Sequence, residues 1–249
     1  MTATPERSAL ERQHLSIPAP AWLRDNVSRV RESLAAAALR AGRRPESVRL
    51  IAVTKTRPPE LIIAAARLGL TDIGENRVQE AAAKVPIVNA ALTLRPTWHL
   101  IGTLQANKVK VALSHFAIIH SVDSLKLAEA LAKRAAGVTV PVLLEVYLGY
   151  DLARPGFRPA ELAPAVGRIA ALSGPRIQGL MTVAPLGLSE REARGCFARL
   201  RDLRDGLAEQ FPQLDWRDLY MGMSDDYPLA IAEGATMVRL GRVLFGERP

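Results

Sequence analysis

Apolar residues in this chain follow two spacings, the near-continuous runs typical of buried strands and the three- and four-residue spacing of amphipathic helices. The first clear run, residues 48–53, is rich in β-branched side chains and stops at Lys55, after which Pro58 and Pro59 prevent the strand from continuing. Further runs predict strands at residues 70–74, 97–102, 116–120, 138–147, 176–181, 215–220 and 236–240. The chain is therefore predicted to contain eight strands.

Amphipathic segments precede and separate these strands. Residues 21–41 carry Trp22, Leu23 and Val27 at helical spacing and are followed by Gly42, which predicts a helix before the first strand. Further helices are predicted at residues 60–68, 77–85, 105–113, 124–136, 189–210 and 227–233, with another that ends at residue 172.

Mostly apolar strands that alternate with helices through short connections predict an α/β fold, a single-domain TIM (β/α)8 barrel with an extra N-terminal helix. The competing doubly wound open sheet normally has a glycine-rich phosphate turn after its first strand, and residues 54–58 do not form one. Residues 1–16 are polar, of mixed charge and without an apolar signal core, so they predict a disordered leader. Residues 17–249 are predicted to form the barrel domain.

Composition narrows the class of protein. Of 249 residues, 49% are apolar and 5% aromatic, so the chain can bury a large core of mainly aliphatic side chains. Cys196 is the only cysteine, which excludes a disulfide framework and fits a reducing cytoplasm. No apolar run of membrane-spanning length occurs, so we expect a cytoplasmic protein without a membrane partner.

The formal net charge is +8, from 33 basic and 25 acidic residues. The arginines are spread over many predicted helices without interleaved aromatic residues, which favours a solvated surface over a nucleic-acid site. The positive field still attracts small anionic ligands.

Chemistry in such a barrel gathers at the carboxyl ends of the strands, and the first strand ends at Lys55. A lysine in this position either extends its ammonium to solvent along an apolar stem or loses its proton in the cleft and attacks a carbonyl group. The segment alone favours the first alternative, so other strand ends have to decide between them.

The last two strand ends predict a phosphate site, since barrels frequently bind phosphate in the loops after strands seven and eight. Ser224 stands before a short predicted helix whose N–H groups favour an anion, and Gly241 lets the backbone approach a phosphate closely. Singly, Ser224 is as well explained as an N-cap and Gly241 as a turn glycine. Their coincidence with Arg239, aimed into the same barrel mouth, favours the phosphate site.

A phosphate site beside a lysine from the adjacent first strand describes a pocket for pyridoxal 5'-phosphate (PLP). Lys55 supplies the amine for a Schiff base, and Arg239 meets the pyridine nitrogen and keeps it unprotonated. Asn76 either bonds the ring hydroxyl or caps the following helix, and His99 either stacks near the ring or fills the barrel interior. We predict no metal, since the histidines and acidic residues lack metal-ligand spacing.

Several ordered motifs cover nearly the whole chain, from about residue 27 to residue 248. They are Ala52-Val53-Thr54-Lys55-Thr56, Gly74-Glu75-Asn76 with Gln79-Glu80, Trp98-His99 with Ile101-Gly102, Leu104-Gln105 and Asn107-Lys108, Gly179-Leu180-Met181, Met221-Gly222-Met223-Ser224 with Asp226, and Val238-Arg239-Leu240-Gly241 with Phe245-Gly246. In this order the motifs resemble those of the pyridoxal phosphate homeostasis protein family, which is related to the barrel domain of alanine racemase.

The resemblance implies a cofactor lysine at Lys55, phosphate contacts from Ser224 and Gly241, and Arg239 at the pyridine nitrogen, in agreement with the strand-end positions. One departure from the family pattern bears on the site. Tyr220 stands where serine is frequent, which puts a hydroxyl contact to the phosphate from this position in doubt.

The resemblance also implies a function. Family members bind PLP without established turnover and buffer, deliver or sequester it. We therefore expect a non-catalytic protein that takes part in intracellular PLP (vitamin B6) and amino-acid homeostasis, with PLP-requiring apo-enzymes as candidate partners. Alanine racemases add a C-terminal domain with a catalytic tyrosine, whereas this chain ends at Pro249, just past the eighth strand. The alternative is a PLP-dependent amino-acid racemase or lyase. We expect a monomer or weak homodimer and no nucleic-acid partner.

Overall fold

Eight parallel strands close into a barrel in sequence order in the computed structural model, which describes residues 18–149, 151, 154–185 and 187–247. Each strand pairs with the next, and the eighth pairs with the first. The strands are Arg49–Val53 (β1), Asp72–Glu75 (β2), Thr97–Leu100 (β3), Ile118–Val122 (β4), Val140–Glu145 (β5), Pro175–Met181 (β6), Asp218–Tyr220 (β7) and Met237–Leu240 (β8). The prediction of a TIM barrel is confirmed.

Helices form the outer layer. They are Ala21–Arg40 (α1), Pro59–Arg67 (α2), Val78–Ala90 (α3), Val109–Leu113 (α4), Leu125–Ala135 (α5), Pro159–Ala170 (α6), Glu190–Gln210 (α7), Tyr227–Ala232 (α8) and Arg242–Phe245 (α9). Within the described ranges, no helix has the length and apolar character needed to cross a membrane. The leader predicted at residues 1–16 lies outside the described residues, and the domain boundary at residue 17 stays a prediction.

The extra N-terminal helix α1 packs against both helices that flank β8, α8 and α9. Asn26 Nδ2 donates to the Leu244 carbonyl oxygen at 3.0 Å, and the Tyr227 hydroxyl donates to Ser33 Oγ at 2.6 Å. The buried row of α1 begins at Leu23, whereas its neighbour Trp22, assigned to the apolar face from sequence, is 45% exposed. Because α9 is a single short turn, α1 supplies much of the helical cover on this side of the barrel.

Side chains alternate between the barrel interior and the helix layer. The inward-facing apolar residues form a cluster of their own, separate from the larger core between strands and helices. Its members are Ile51, Val53, Ile101, Leu143, Met181, Tyr220 and Met237. Gly74 belongs to the same interior surface, since a Cβ there would lie 2.9 Å from Ile51 Cγ2 and 3.1 Å from Ile101 Cδ1.

Several element boundaries differ from the sequence expectation by a few residues, and two of these differences have a clear physical reason. Helix α3 continues through Pro86 to Ala90 instead of ending at Val85, because Val85 and Val88 are both buried and their packing offsets the backbone bond that proline removes. Strand β7 spans Asp218–Tyr220, shorter than the predicted 215–220, because residues before it form a turn in which Trp216 Nε1 donates to the Phe211 carbonyl at 3.0 Å.

Candidate functional site

Several predicted site residues lie at the carboxyl end of the barrel. Val53 and Met237 are both in the interior cluster, so Arg239, two residues after Met237 in β8, is in an inward position. Lys55 and Asn76 follow the ends of β1 and β2, and Gly241 follows the end of β8. The carboxyl ends of β1, β2 and β8 therefore bring four of the predicted residues to one barrel mouth.

Lys55 follows β1 in a tight turn and is half-buried. The next residue, Thr56, has a φ of 65°, a left-handed conformation that is uncommon for a β-branched residue. The lysine is thus carried on a turn with a specific backbone conformation.

Ser224 and Gly241 lie at one corner of the mouth. The loop between β7 and α8 is tied to α9 by an ion pair between Asp225, which follows Ser224, and Arg242, which follows Gly241. A Cβ on Gly241 would lie 3.4 Å from Val53 Cβ, so the corner borders the end of β1 that precedes Lys55. The structure therefore brings the predicted phosphate residues to the side of the mouth where Lys55 is attached.

The alternative interpretation of Ser224 and Asn76, that each only caps the helix that follows it, is wrong. Helix α8 has Asp226 at its N-cap position, so Ser224 does not cap it. Helix α3 has Arg77 at its N-cap position, so Asn76 does not cap that helix. A Cβ at Gly102 would overlap the Asn76 carbonyl oxygen, and this close approach of two strand ends fixes the backbone of Asn76.

Arg239 is a buried cation in the barrel interior, 7% exposed. Its Nη2 donates to the Thr182 carbonyl oxygen at 2.8 Å, and the guanidinium carbon lies 5.0 Å from the ring centroid of Tyr220. The Tyr220 hydroxyl, although buried beside this guanidinium, has no hydrogen bond of good geometry to a described residue. Burial raises the pKa of Tyr220 despite the nearby arginine, so the phenol stays neutral.

His99 is fully buried and belongs to a polar chain that crosses the barrel interior. Its Nε2 lies 2.9 Å from Asp72 Oδ1 and its Nδ1 lies 2.8 Å from His120 Nε2. Burial lowers the pKa of His120 well below the usual value, and the charges of His99 and Arg239 act in the same direction. Both ring nitrogens of His99 are engaged within the barrel, so a contact with a ligand is left to its ring.

Glu145, the last residue of β5, is a functional candidate that the sequence reasoning missed. It continues the inward position of Leu143, and burial, followed by the negative charge of Asp123, raises its pKa to about 7 although Arg239 opposes this. A carboxyl group at the mouth with this pKa can exchange a proton near neutral pH. The period of two in residues 140–145 was the available signal.

A cavity of about 430 Å³ adjoins the phosphate corner on its outer side. It lies between the loops that follow β6 and β7, and its lining includes Pro185, Met223 and Asp226. Asp226 Oδ1 accepts the Met223 N–H at 2.6 Å and so shapes the loop that carries Ser224. Across the described ranges, no group of three or more histidine, cysteine or acidic side chains is arranged to hold a metal ion.

The barrel is built like the amino-terminal domain of alanine racemases. The model of the family described as alanine racemase, N-terminal domain, matches residues 23–249. An alanine racemase from Corynebacterium glutamicum has the same fold at 18% identity, with a TM-score of 0.60 over 88% of this chain and 60% of that chain.

Closer similarities specify the family. The pyridoxal phosphate homeostasis protein of Aquifex aeolicus is 39% identical over 90% of this chain and 97% of its own. PipY of Synechococcus elongatus, whose structure was solved with PLP bound, is 45% identical over 87% of this chain and 100% of its own, with a TM-score of 0.77. This chain belongs to the pyridoxal phosphate homeostasis protein family.

Proposed function

We propose that this chain binds PLP at the mouth of the barrel and acts in PLP and amino-acid homeostasis as a cofactor-binding protein. The observation that carries the proposal is the meeting, at one side of the mouth, of Lys55 with the Ser224–Gly241 corner and the buried Arg239. The family membership supports the same ligand, since a relative of this family was solved with PLP bound.

Lys55 is the proposed covalent anchor. Its amine attacks the aldehyde carbon of PLP, a C=N bond replaces the C=O bond, and one water molecule leaves. The half-buried position of Lys55 just past the end of β1 suits this chemistry, because the reacting groups of such barrels lie at the carboxyl ends of the strands.

The remaining site residues are proposed to orient the cofactor. The Ser224 hydroxyl and the backbone N–H at Gly241 suit the phosphate, which needs donors and a close backbone approach. Arg239, held by Thr182 and permanently charged, suits the pyridine nitrogen as a donor and keeps that nitrogen unprotonated. Asn76 is proposed to bond the ring hydroxyl and His99 to contact the ring from the interior.

An absorbance spectrum tests the covalent anchor. Purified protein mixed with PLP is expected to show a visible band that borohydride converts into a stable adduct on Lys55, detected by peptide mass spectrometry. Lys55→Ala is expected to lose the band and the adduct, because the other amine near this strand end, Lys84, is buried with all three of its donors engaged. Lys110→Ala, on the exposed side of α4, is the matched control and keeps both. An adduct spread over surface lysines in the wild type contradicts the proposal.

Ser224→Ala tests the phosphate corner. We expect PLP affinity to fall about tenfold, since one hydrogen bond to a charged group is worth roughly 1.5 kcal/mol, while the thermal unfolding midpoint without PLP stays unchanged. Pyridoxal, which lacks the phosphate, is expected to bind wild type and Ser224→Ala equally. Equal loss of affinity for both compounds places Ser224 away from the phosphate.

Delivery of PLP to apo-enzymes in the cytoplasm is part of the same proposal. Transfer is measured by mixing the loaded protein with a PLP-requiring apo-enzyme and following recovery of that enzyme's activity. Recovery no faster than with free PLP at the same free concentration argues against delivery.

The racemase or lyase alternative requires loss of the α-proton from labelled amino acids at a useful rate. Proton exchange no faster than with free PLP rules out this alternative.

A further inference from the structure

A buried polar cluster lies against the turn that carries Lys55, and we define this Lys84 cluster as Thr54, Glu75, Glu80 and Lys84. The Lys84 ammonium donates to the Thr54 carbonyl oxygen at 2.9 Å, to Glu75 Oε1 at 2.9 Å and to Glu80 Oε1 at 2.6 Å. The Lys84 side chain is only 9% exposed. An ammonium group has three donors, and each of them has a protein acceptor here.

The cluster fixes both peptide groups next to Lys55. The Thr54 carbonyl belongs to the peptide group that precedes the Lys55 Cα, and it accepts from Lys84. The Thr56 N–H belongs to the peptide group that follows this Cα, and it donates to Glu80 Oε1 at 2.5 Å. Because both peptide planes are anchored to α3, the direction in which the Lys55 side chain leaves the backbone is fixed as well.

The same contacts hold an unfavourable backbone conformation. The left-handed φ of 65° at Thr56 persists only where the surroundings impose it, and the Glu80 carboxylate supplies the acceptor for its N–H. Strand β2 contributes the second anchor, since Thr54 Oγ1 donates to Glu75 Oε1 at 2.6 Å.

The charges of the cluster depend on Lys84. Burial raises the pKa of Glu75, although the bonds from Thr54 and Lys84 oppose this. Burial also acts to raise the pKa of Glu80, but the bonds from Lys84 and the Thr56 N–H and the Lys84 charge lower it overall. Without the ammonium, two acidic groups would face each other beside the turn, one of them fully buried.

We propose that Lys84 is a positioning residue for Lys55. Through Thr54 and Glu80, Lys84 holds the turn in the conformation that presents the Lys55 amine to an aldehyde. The proposal rests on the proposed function and deepens it. Lys84 is assigned to the same site as Lys55, but it acts on the turn and does not contact the ligand.

Lys84→Met tests the proposal, since methionine keeps most of the volume and removes the three donors. Covalent capture of PLP on Lys55 is expected to slow by about tenfold or more, because a displaced nucleophile loses its attack geometry. Leu131→Ala, a cavity variant in α5 remote from the turn, serves as a stability-matched control and is expected to capture PLP at the wild-type rate. Equal slowing in both variants means that Lys84 acts only through stability and overturns the proposal.

A readout without PLP separates this proposal from the proposed function. Hydrogen exchange of the Thr56 amide is expected to be slow in the wild type and about tenfold or more faster in Lys84→Met, relative to Leu131→Ala, if the cluster holds the turn. An amide that exchanges at the same rate in Lys84→Met and the wild type overturns the positioning role. A wild type that captures no PLP contradicts the proposed function and leaves the exchange result to decide the role of Lys84.

Glu80 provides a second pair of variants in case Lys84→Met does not fold. Glu80→Gln keeps an oxygen that can accept the Thr56 N–H, whereas Glu80→Ala removes it. We therefore expect PLP capture and Thr56 exchange to be close to wild type in Glu80→Gln and impaired in Glu80→Ala. Wild-type behaviour of Glu80→Ala in both measurements overturns the proposal, whatever the result with Lys84→Met.

Discussion

At the residue scale, Glu145 has a carboxyl group that the fold makes more basic. Burial raises its pKa from 4.5 to about 7, so the folded protein binds this proton more tightly than the unfolded chain. The ionised form therefore destabilises the folded state once the pH rises above about 4.5, and the full penalty is present above pH 7. Partial exposure limits this penalty to the order of 2 kcal/mol.

Glu145→Gln is consequently expected to raise the free energy of unfolding by about 2 kcal/mol at pH 8 and to leave it nearly unchanged at pH 4.5. Urea unfolding at the two pH values measures the difference. Glu209→Gln, an exposed position near the end of α7, is the control and should show no pH-dependent gain. A gain of equal size at both pH values means that the carboxyl charge is not the cause.

The sequence predicts those candidate site residues whose chemistry is visible in the residue type or motif. Lys55 and Arg239 are candidates because they stand at strand ends that meet at one barrel mouth, and Ser224 and Gly241 because they follow the strands where barrels bind phosphate. Glu145 and Lys84 were missed for a physical reason. The period of two places Glu145 on the inner face of β5, but the raised pKa of its carboxyl group depends on burial and on Asp123. The contacts of Lys84 likewise depend on partners distant along the chain, which no local pattern states.

At the element scale, strand ends meet so closely that glycine is required. The Gly102 Cα lies against the Asn76 backbone, and an added Cβ would overlap the Asn76 carbonyl oxygen, which is backbone and cannot rotate away. Sequence periodicity predicted that β2 and β3 exist and pair, but such an approach appears only in three dimensions. The same applies to α3, whose continuation through Pro86 is decided by buried Val88 and not by local propensity.

Gly102→Ala is therefore expected to destabilise the protein by about 2 kcal/mol or more and to weaken PLP binding through the displacement of Asn76. Gly206→Ala in α7 is the matched control, and this substitution is expected to raise the free energy of unfolding. Its Cβ would meet nothing within 4 Å, and alanine favours the helix by about 1 kcal/mol. Chemical unfolding of both variants measures the contrast. Similar stability of the two variants shows that the β2 and β3 ends can separate without cost.

At the scale of the whole molecule, the proposed site joins distant parts of the chain. The lysine comes from the first strand, the phosphate corner from the loops beside the last two, and the barrel closes through the pairing of β1 with β8, in which Ile51 lies opposite Arg239. A ligand held by Lys55 and Gly241 would bridge this closure. Binding is then coupled to the stability of the barrel as a whole, because the unfolded chain has no such site.

PLP is accordingly expected to raise the unfolding free energy by about 2.7 kcal/mol at a free concentration 100 times the dissociation constant, and by about 1.4 kcal/mol more for each further tenfold. Thermal unfolding over a series of PLP concentrations measures this dependence, with Lys55→Ala as the control that loses most of the gain. Because the proposed covalent bond needs both the Lys55 amine and an aldehyde, pyridoxine 5'-phosphate, which has an alcohol in place of the aldehyde, should stabilise wild type and Lys55→Ala to a similar, smaller extent. A wild type that gains as much from the alcohol as from the aldehyde has no covalent anchor at the β1–β8 closure and binds the cofactor only through non-covalent contacts to its ring and phosphate.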